Sequence, residues 1–309
     1  MWSMKLEFKP VELEDKEIID SYSFRFGGDS CQHSFVSMYG HFGKYGDSYC
    51  EQDGWLYINR AGLNSEDKKV YLCPLGDASD EDGCRRAIET LLEDAASEGR
   101  RVVFETATKA AKERIEELLP GVFRFEYSRD WAEYVYTRNK LVNLPGSHMS
   151  KRRYQYKSFY RKYEGRVRVD AISPEVIADI FTFQKRWMAE RMAEGDNPQL
   201  LEENEAIIRE LGAFERLSLQ GIVIYVDEAI AGYAFGVPLS EECFDVLVEK
   251  GDRNIDNIYR VLKRELPAAL EKYARFNWEE DVGDTGLRQI KLDYYPDMLM
   301  DKYRAEEIG

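Results

Sequence analysis

The sequence predicts an α+β protein, a mixed α/β sandwich of two successive domains, each with a mixed, largely antiparallel sheet flanked by helices. The chain has 309 residues, which is long for one hydrophobic core and suits two domains of about 150 residues. Helix and strand patterns alternate in a similar order in both halves. Leu144-Pro145-Gly146 interrupts them, so we place the boundary between residues 1–145 and 146–309.

Helices and strands alternate in the first half, and turn residues separate them. Asp53-Gly54 favours a hairpin turn, and Pro120-Gly121 stops a helix. Asp80 or Ser79 can cap the longest helix, whose apolar residues recur at helical spacing. The predicted elements are a helix at 10–22, strands at 48–51, 55–59 and 69–74, a helix at 80–97, a strand at 102–106, a helix at 109–119 and an extended segment at 123–136.

The second half has a clearer order of elements. Ser173-Pro174-Glu175 is typical of a helix start, and Asp227-Glu228 reverses the chain between two strands. The predicted elements are helices at 150–163, 173–193 and 199–211, strands at 219–226, 230–238 and 243–249, a helix at 256–275, a strand and a C-terminal segment. Early helices, an antiparallel meander, a helix and a final strand pair resemble the GNAT (acyl-CoA N-acyltransferase) fold. We therefore predict two divergent GNAT-like copies in tandem.

Charge is unevenly distributed along the chain. The net charge of −15 argues against nucleic-acid binding by the whole surface. Lys151–Arg168 nevertheless contains eight basic residues and one acid, so this segment carries +7 and the remainder −22. Such a basic segment is a candidate docking site for a polyanion.

Membrane spans and metal sites are not expected from the sequence. No run reaches the roughly 18 to 20 apolar residues that span a bilayer, and the N-terminal residues carry no signal-peptide pattern. We therefore expect a cytoplasmic protein without an integral membrane segment. The five cysteines form no CxxC pair, which favours reduced thiols. Cys31, His33, His41 and Cys50 match no common zinc spacing, so we expect no metal site.

The C-terminal run Asn277–Tyr303 concentrates acids, glycines, cations and tyrosines. Acyl transfer requires a positioned carbonyl, a deprotonated acceptor and a stabilised oxyanion, without a serine or cysteine nucleophile. Acids in this run can position or deprotonate the acceptor, cations can oppose developing negative charge, and tyrosines can protonate a leaving group. The alternative is that Arg288 and Lys291 only pair with nearby acids to fix the loop. The candidate catalytic residues are Glu280, Asp281, Arg288, Lys291 and Tyr294.

Three stretches of the chain resemble one family. They are Ser34–Tyr45, Leu144–Tyr163 (LPGSHMSKRRYQYKSFYRKY) and Asn277–Tyr303, whose pattern is EEDxGxxGLRxxKxxxxP. They resemble the family that shares the C-terminal domain of phosphatidylglycerol lysyltransferase. This resemblance implies a tandem GNAT fold related to the Fem peptidoglycan transferases and the lysyl-lipid synthases.

The chain departs from these relatives in two ways. Lipid-modifying members usually carry N-terminal membrane helices, which this sequence lacks. The glycine-rich pyrophosphate loop of acetyl-CoA-dependent members is replaced by Glu249–Asn257, which has one glycine and therefore few closely approaching backbone donors. Arg253, Asn254 and Asn257 can still hold an anion there, but an acyl-CoA donor is less favoured.

The leading hypothesis is transfer of an aminoacyl group from aminoacyl-tRNA to an amine or hydroxyl of a small molecule, peptide or lipid headgroup, with no cofactor required. One alternative is an N-acyltransferase with acyl-CoA as donor. Another is a catalytically inert double-GNAT protein that binds an anion or a protein. The candidate donor-binding residues are Lys151, Arg152, Arg153, Lys157, Arg161, Arg253, Asn254 and Asn257.

Overall fold

The structure, a computed structural model, describes residues 6–193, 195 and 198–309, and these form two seven-stranded mixed sheets. The first has the strand order β1-β2-β3-β4-β5-β14-β6, and the second β13-β7-β12-β11-β10-β9-β8. The strands are β1 (Lys9–Pro10), β2 (Asp47–Gln52), β3 (Trp55–Arg60), β4 (Lys68–Tyr71), β5 (Arg101–Thr108), β6 (Phe123–Tyr127), β7 (Glu133–Thr137), β8 (Val167–Ala171), β9 (Gln220–Val226), β10 (Ala229–Pro238), β11 (Cys243–Gly251), β12 (Arg275–Asn277), β13 (Met298–Met300) and β14 (Lys302–Glu307).

Helices flank both sheets. The α-helices are α1 (Lys16–Phe26), α2 (Phe35–Gly40), α3 (Phe42–Tyr45), α4 (Glu81–Ser97), α5 (Lys109–Leu118), α6 (Arg138–Asn143), α7 (Ser150–Lys162), α8 (Ile177–Met192), α9 (Pro198–Gly212), α10 (Phe214–Leu217), α11 (Ile258–Ala269) and α12 (Thr285–Leu292). Short 3-10 turns lie at Leu13–Asp15, Cys31–His33, Ala61–Leu63, Arg129–Trp131 and Pro174–Val176. No helix among the described residues combines the length and apolar character that crossing a membrane requires.

The long helix of the first half is capped and buried as its sequence predicts. The Asp80 carboxylate accepts a hydrogen bond from Gly83 N at 2.9 Å, which satisfies one free donor of the first turn. Ile88 and Leu91 on α4 are buried in a core that also contains Phe104 of β5 and Ile115 of α5. Because the helical repeat places these apolar residues on one face, α4 packs against the sheet.

The predicted antiparallel meander is confirmed in the second sheet, where β10 pairs with both β9 and β11. Asp227 and Glu228 have positive φ angles of 53° and 61°, which is the geometry of a tight hairpin turn. Strand β12 then joins β11 in parallel, but only through Cys243–Asp245 opposite Arg275–Asn277. β12 ends at Asn277 whereas β11 continues to Gly251, so the second half of β11 has no partner in β12.

Several predicted elements have different bounds in the structure; the helix predicted at 10–22, for example, is α1 at Lys16–Phe26. The helix predicted at 256–275 is shorter: it begins at Ile258, after Asn257 in the left-handed region, and ends at Ala269. Pro267 in its last turn lacks the N–H that would continue the backbone ladder. The extended segment predicted at 123–136 is broken by the turn at Arg129–Trp131 into β6 and β7.

The chain divides into two compact units that are not contiguous in sequence. One runs up to Glu133 and also contains Glu280–Thr285 and Leu299–Gly309, and the other comprises Tyr134–Glu279 and Gly286–Met298. The boundary predicted between residues 145 and 146 concerns the extent of each GNAT-like copy and stays a prediction. The first five residues of its N-terminal part lie outside the described residues.

Candidate active site

The candidate site lies in the second unit, where β11 extends beyond the end of β12. Glu249 is on β11 and Trp278 follows β12, and Trp278 Nε1 donates to Glu249 Oε2 at 3.0 Å. The Trp278 ring also contacts Tyr136 of β7 edge-on, with 6.0 Å between ring centroids. This hydrogen bond and ring contact fix the indole between Glu249 and Tyr136.

Lys291 enters this site from α12. Its Nζ donates to the backbone oxygen of Trp278, and its own backbone oxygen accepts a hydrogen bond from the Tyr136 hydroxyl at 2.8 Å. Its ammonium also lies 5.5 Å from the Tyr134 ring centroid. The side chain is buried, so the positive charge is held in a fixed position rather than on a mobile surface chain.

Tyr294, one turn after Lys291, is surrounded by cations. The centroid of its buried ring lies 5.7 Å from the Arg152 guanidinium, 5.6 Å from that of Arg260 and 5.3 Å from Lys263 Nζ. Burial raises the pKa of the Tyr294 hydroxyl, and the two arginines oppose that rise. The phenol is therefore neutral at physiological pH and can donate a hydrogen bond.

Lys263 was missed by the sequence analysis. It lies on α11 with Nζ 3.8 Å from the Trp278 ring centroid. Burial lowers its pKa from 10.5 to about 7; Glu249 opposes this change, whereas Lys291 and Arg260 add to it. The available signal was a lysine among the buried helix residues Val261, Leu262 and Leu266, because an unpaired charge is rare in such a stripe.

The other predicted catalytic residues are placed differently. Glu280 and Asp281 belong to the first unit, whereas Arg288, Lys291 and Tyr294 belong to the second. Glu280 accepts hydrogen bonds from Gln32 Nε2 at 3.3 Å and from Cys31 Sγ at 3.6 Å.

Asp281 is held by contacts within the first unit. It is fully buried, pairs with Arg129 at 3.2 Å and accepts from Gly283 N at 3.0 Å. Arg288 is half-buried on α12, one turn before Lys291. Roles of Glu280, Asp281 and Arg288 in transfer stay predictions.

The basic segment divides into buried and exposed side chains. Arg152 is buried and pairs with Asp293, and Arg153 donates to the backbone oxygens of Leu144 and Gly146. These two arginines therefore hold α7 in place. The exposed cations among the candidate donor-binding residues are Lys151, Lys157 and Arg161, and Lys162, Arg166 and Arg168 are exposed as well.

An aromatic side chain accompanies the exposed cations of α7. Tyr154 is 64% exposed, and the Arg161 guanidinium lies 6.0 Å from its ring centroid. Further along the chain, the exposed cations pair with acids: Lys162 with Asp256, Arg166 with Asp227, and Arg168 with Asp170. The exposed face of α7 thus combines positive charge with an aromatic surface.

The loop before α11 carries the remaining candidate donor-binding residues. Arg253 and Asn254 are exposed, but Asn254 hydrogen bonds to Asp252 Oδ1 through both its backbone N and its side-chain Nδ2. Asn257 precedes the helix with a φ of 63°, and its side chain makes no capping bond. No group of three or more potential metal ligands occurs in the part of the chain that the structure describes.

Similar structures cover nearly the whole chain. A conserved protein of unknown function from Bacteroides thetaiotaomicron VPI-5482 is 27% identical, with a TM-score of 0.89 over 98% of this chain and 100% of that one. L-PGS from Bacillus licheniformis is 16% identical, with a TM-score of 0.64 over 97% and 93% of the two chains. FemX is 9% identical, with a TM-score of 0.62 over 98% of each.

The likenesses to L-PGS and FemX show the fold alone, and they confirm the predicted tandem GNAT, Fem-like class. No curated protein matches this chain significantly. The family described as "Phosphatidylglycerol lysyltransferase, C-terminal" matches residues 30–306. The chain therefore belongs to this family.

Proposed function

We propose that the protein transfers an aminoacyl group from aminoacyl-tRNA to an amine or hydroxyl acceptor, at the site where β11 extends beyond the end of β12. Family membership and fold support an aminoacyltransferase or GNAT-like function. The observation that carries the proposal is the convergence of cations on buried aromatic rings there. Arg152, Arg260 and Lys263 surround the Tyr294 ring, and Lys291 lies one turn away.

The charge of this cluster favours an anionic substrate. The cluster contains four basic side chains, Arg152, Arg260, Lys263 and Lys291. Two carboxylates lie beside them: Asp293 pairs with Arg152, and Glu249 opposes the loss of charge from Lys263. Burying positive charge is costly unless a partner compensates it. A phosphate at the 3′ end of a tRNA would supply negative charge and would accept hydrogen bonds from these side chains.

The exposed face of α7 supports a nucleic-acid donor. Lys151, Lys157 and Arg161 can contact phosphates, and the Tyr154 ring offers a stacking surface for an unpaired base. The same helix carries Arg152 into the buried cluster. An RNA end that docks along α7 is therefore guided toward the site.

The proposed reaction follows from the groups in the second unit. The acceptor nitrogen or oxygen attacks the ester carbonyl, the new bond forms, and the ester C–O bond to the ribose breaks. The proton that the acceptor loses ends on the departing ribose oxygen, which leaves as a hydroxyl. Lys291 opposes the negative charge that develops on the carbonyl oxygen. Tyr294 donates a hydrogen bond to the departing ribose oxygen.

Replacing the exposed cations of α7 is expected to weaken binding of charged tRNA. The triple variant Lys151→Gln/Lys157→Gln/Arg161→Gln should lower the affinity about tenfold or more. The slope of log affinity against log salt concentration should fall by the amount that about two to three phosphate contacts contribute. Fluorescence anisotropy at two salt concentrations measures both effects. The fold should persist because these side chains are exposed.

A matched triple variant controls for net charge. Lys162→Gln/Arg166→Gln/Arg168→Gln removes three cations that already pair with nearby acids, so its affinity should fall less. Equal losses in the two variants would contradict docking on α7.

Tight acetyl-CoA binding that depends on Arg253, with no tRNA binding, would instead assign the donor to the loop before α11. Binding of neither donor would favour the inert alternative.

The variant Lys291→Met is expected to lower the rate of aminoacyl transfer by about 100-fold to 1,000-fold, because one charge that faces the oxyanion is lost. The affinity for tRNA should change little, since α7 provides most of the docking surface. Release of labelled amino acid from charged tRNA reports the rate, and thermal unfolding verifies the fold. A rate within about threefold of wild type would remove Lys291 from the proposed chemistry.

A further inference from the structure

We infer that Lys263 is a catalytic residue that accepts the proton of the attacking amine or hydroxyl. This inference rests on the proposed transfer reaction and adds a base to it. The geometry of the lysine carries the argument. Its Nζ lies 3.8 Å from the ring centroid of Trp278, 5.3 Å from that of Tyr294 and 5.5 Å from that of Tyr136.

Lys263 differs from the other buried lysines of the described residues in its partners. Lys69, Lys250 and Lys302 each form an ion pair, and Lys291 donates to a backbone oxygen. Lys263 is 3% exposed, and among the residues that the structure describes, its ammonium contacts aromatic rings. A lysine that serves only to stabilise a fold would hold its ammonium against a carboxylate or another oxygen acceptor, as the other four do.

Charged groups face Lys263 from β11, α11 and α12, and Arg152 of α7 lies against the same Tyr294 ring. Glu249 on β11 favours the ammonium, whereas Lys291 on α12 and Arg260 on α11 disfavour it. The hydroxyls of Tyr136 and Tyr294 stay neutral, because burial raises the pKa of each. Burial, together with the charges of Lys291 and Arg260, lowers the pKa of Lys263 to about 7 against the opposing effect of Glu249. A substantial share of the side chain is then a neutral amine at physiological pH, and its lone pair can accept a proton.

The step balances without any further reactant. The neutral amine of Lys263 takes the proton from the acceptor as the acceptor attacks the ester carbonyl. The acceptor–carbon bond forms, and the carbon–ribose oxygen bond breaks. The resulting ammonium is stabilised by the Trp278 ring and then gives its proton to the departing ribose oxygen. The lysine thereby returns to its neutral form.

The first test measures the protonation state of Lys263 without any substrate. Carbon-13 NMR of wild-type protein labelled at lysine Cε, with the Lys263 signal assigned by its loss in Lys263→Met, should give a titration midpoint near pH 7. A midpoint above about pH 9, as in ordinary lysines, would overturn the inference.

The second test measures the reaction. Wild-type protein should release labelled amino acid from a mixture of charged tRNAs, with water as the hydroxyl acceptor, at a rate that rises as pH increases through 7. Lys263→Met should lose about 100-fold or more of this rate and the pH dependence below pH 8, with tRNA affinity unchanged. Lys263→Arg keeps the positive charge but cannot accept the proton, so it should not restore the rate.

The outcomes separate this inference from the proposed function. An active wild type whose rate and pH profile are kept in Lys263→Met would overturn the role of Lys263 alone. A wild type that binds and deacylates no charged tRNA would overturn the transfer reaction, and the catalytic role of Lys263 with it. Recovery of the rate in Lys263→Arg would indicate that the lysine supplies charge rather than accepting a proton.

Discussion

The variant Lys302→Met is expected to lower the free energy of unfolding by about 3–5 kcal/mol, which is the usual cost of removing one partner of a buried ion pair. Lys302 and Glu133 are paired, and both side chains are fully buried. Ser30 also bonds to both residues, and Cys31 N donates to Glu133 at 3.2 Å. Removing the lysine leaves a carboxylate whose charge has lost its counter-ion inside the first unit.

Urea denaturation of the variant and of two controls measures this effect. Lys109→Met removes a cation that is well exposed and faces Glu113 at 3.8 Å, so its cost should be below about 1 kcal/mol. The double variant Lys302→Met/Glu133→Gln removes both charges and should recover part of the lost stability. A loss below about 1 kcal/mol in Lys302→Met would mean that the pair contributes no more than a surface contact.

Local sequence patterns were sufficient to predict most elements. The cap at Asp80, the turn at Asp227-Glu228 and the Ser173-Pro174-Glu175 start each depend on residues within one turn of the element they limit. The antiparallel meander follows from its short connections, which join neighbouring strands. These features are determined by nearby residues, so periodicity and turn chemistry reveal them.

Long-range pairings were not predictable in the same way. Strand β14 lies between β5 and β6, and β7 lies in the second sheet, yet nothing within either strand specifies its neighbour. The same limit affected the basic segment. Arg152 pairs with Asp293 and Arg166 with Asp227, far along the chain. Charge counts therefore overestimate the positive charge that α7 presents to a ligand.

Only part of the candidate site was predicted, because the sequence shows short-range patterns but not long-range packing. Lys291 and Tyr294 belong to a short segment of dense polar residues, which sequence analysis can recognise. Lys263 is separated from Trp278 in the chain, and its environment arises only when α11 packs beside β7 and the segment after β12. Its chemistry depends on burial, which composition does not report.

The variant Lys263→Met is expected to stabilise the protein, and more at low pH than at high pH. Burial lowers the pKa of Lys263 from 10.5 to about 7, so between these values the unfolded chain binds the proton that the folded protein releases. In the wild type, this group therefore adds stability as pH rises above 7, and its full penalty is present below pH 7. Methionine has no such penalty, so its advantage should be about 2–3 kcal/mol larger at pH 6 than at pH 9.

Urea denaturation at the two pH values gives this difference directly, and Lys250→Met is the matched control. Lys250 is also buried, but it pairs with Glu203 at 2.6 Å, so its removal should destabilise the protein with no gain at pH 6. An equal effect of Lys263→Met at both pH values would mean that the folded protein holds this lysine charged. If the substitution stabilises the fold and also abolishes transfer, packing does not explain a lysine at this position. The buried amine of Lys263 would then lower the stability of the fold and, in exchange, accept a proton in the reaction. Such a trade-off between stability and activity is common where an active site needs a destabilising group.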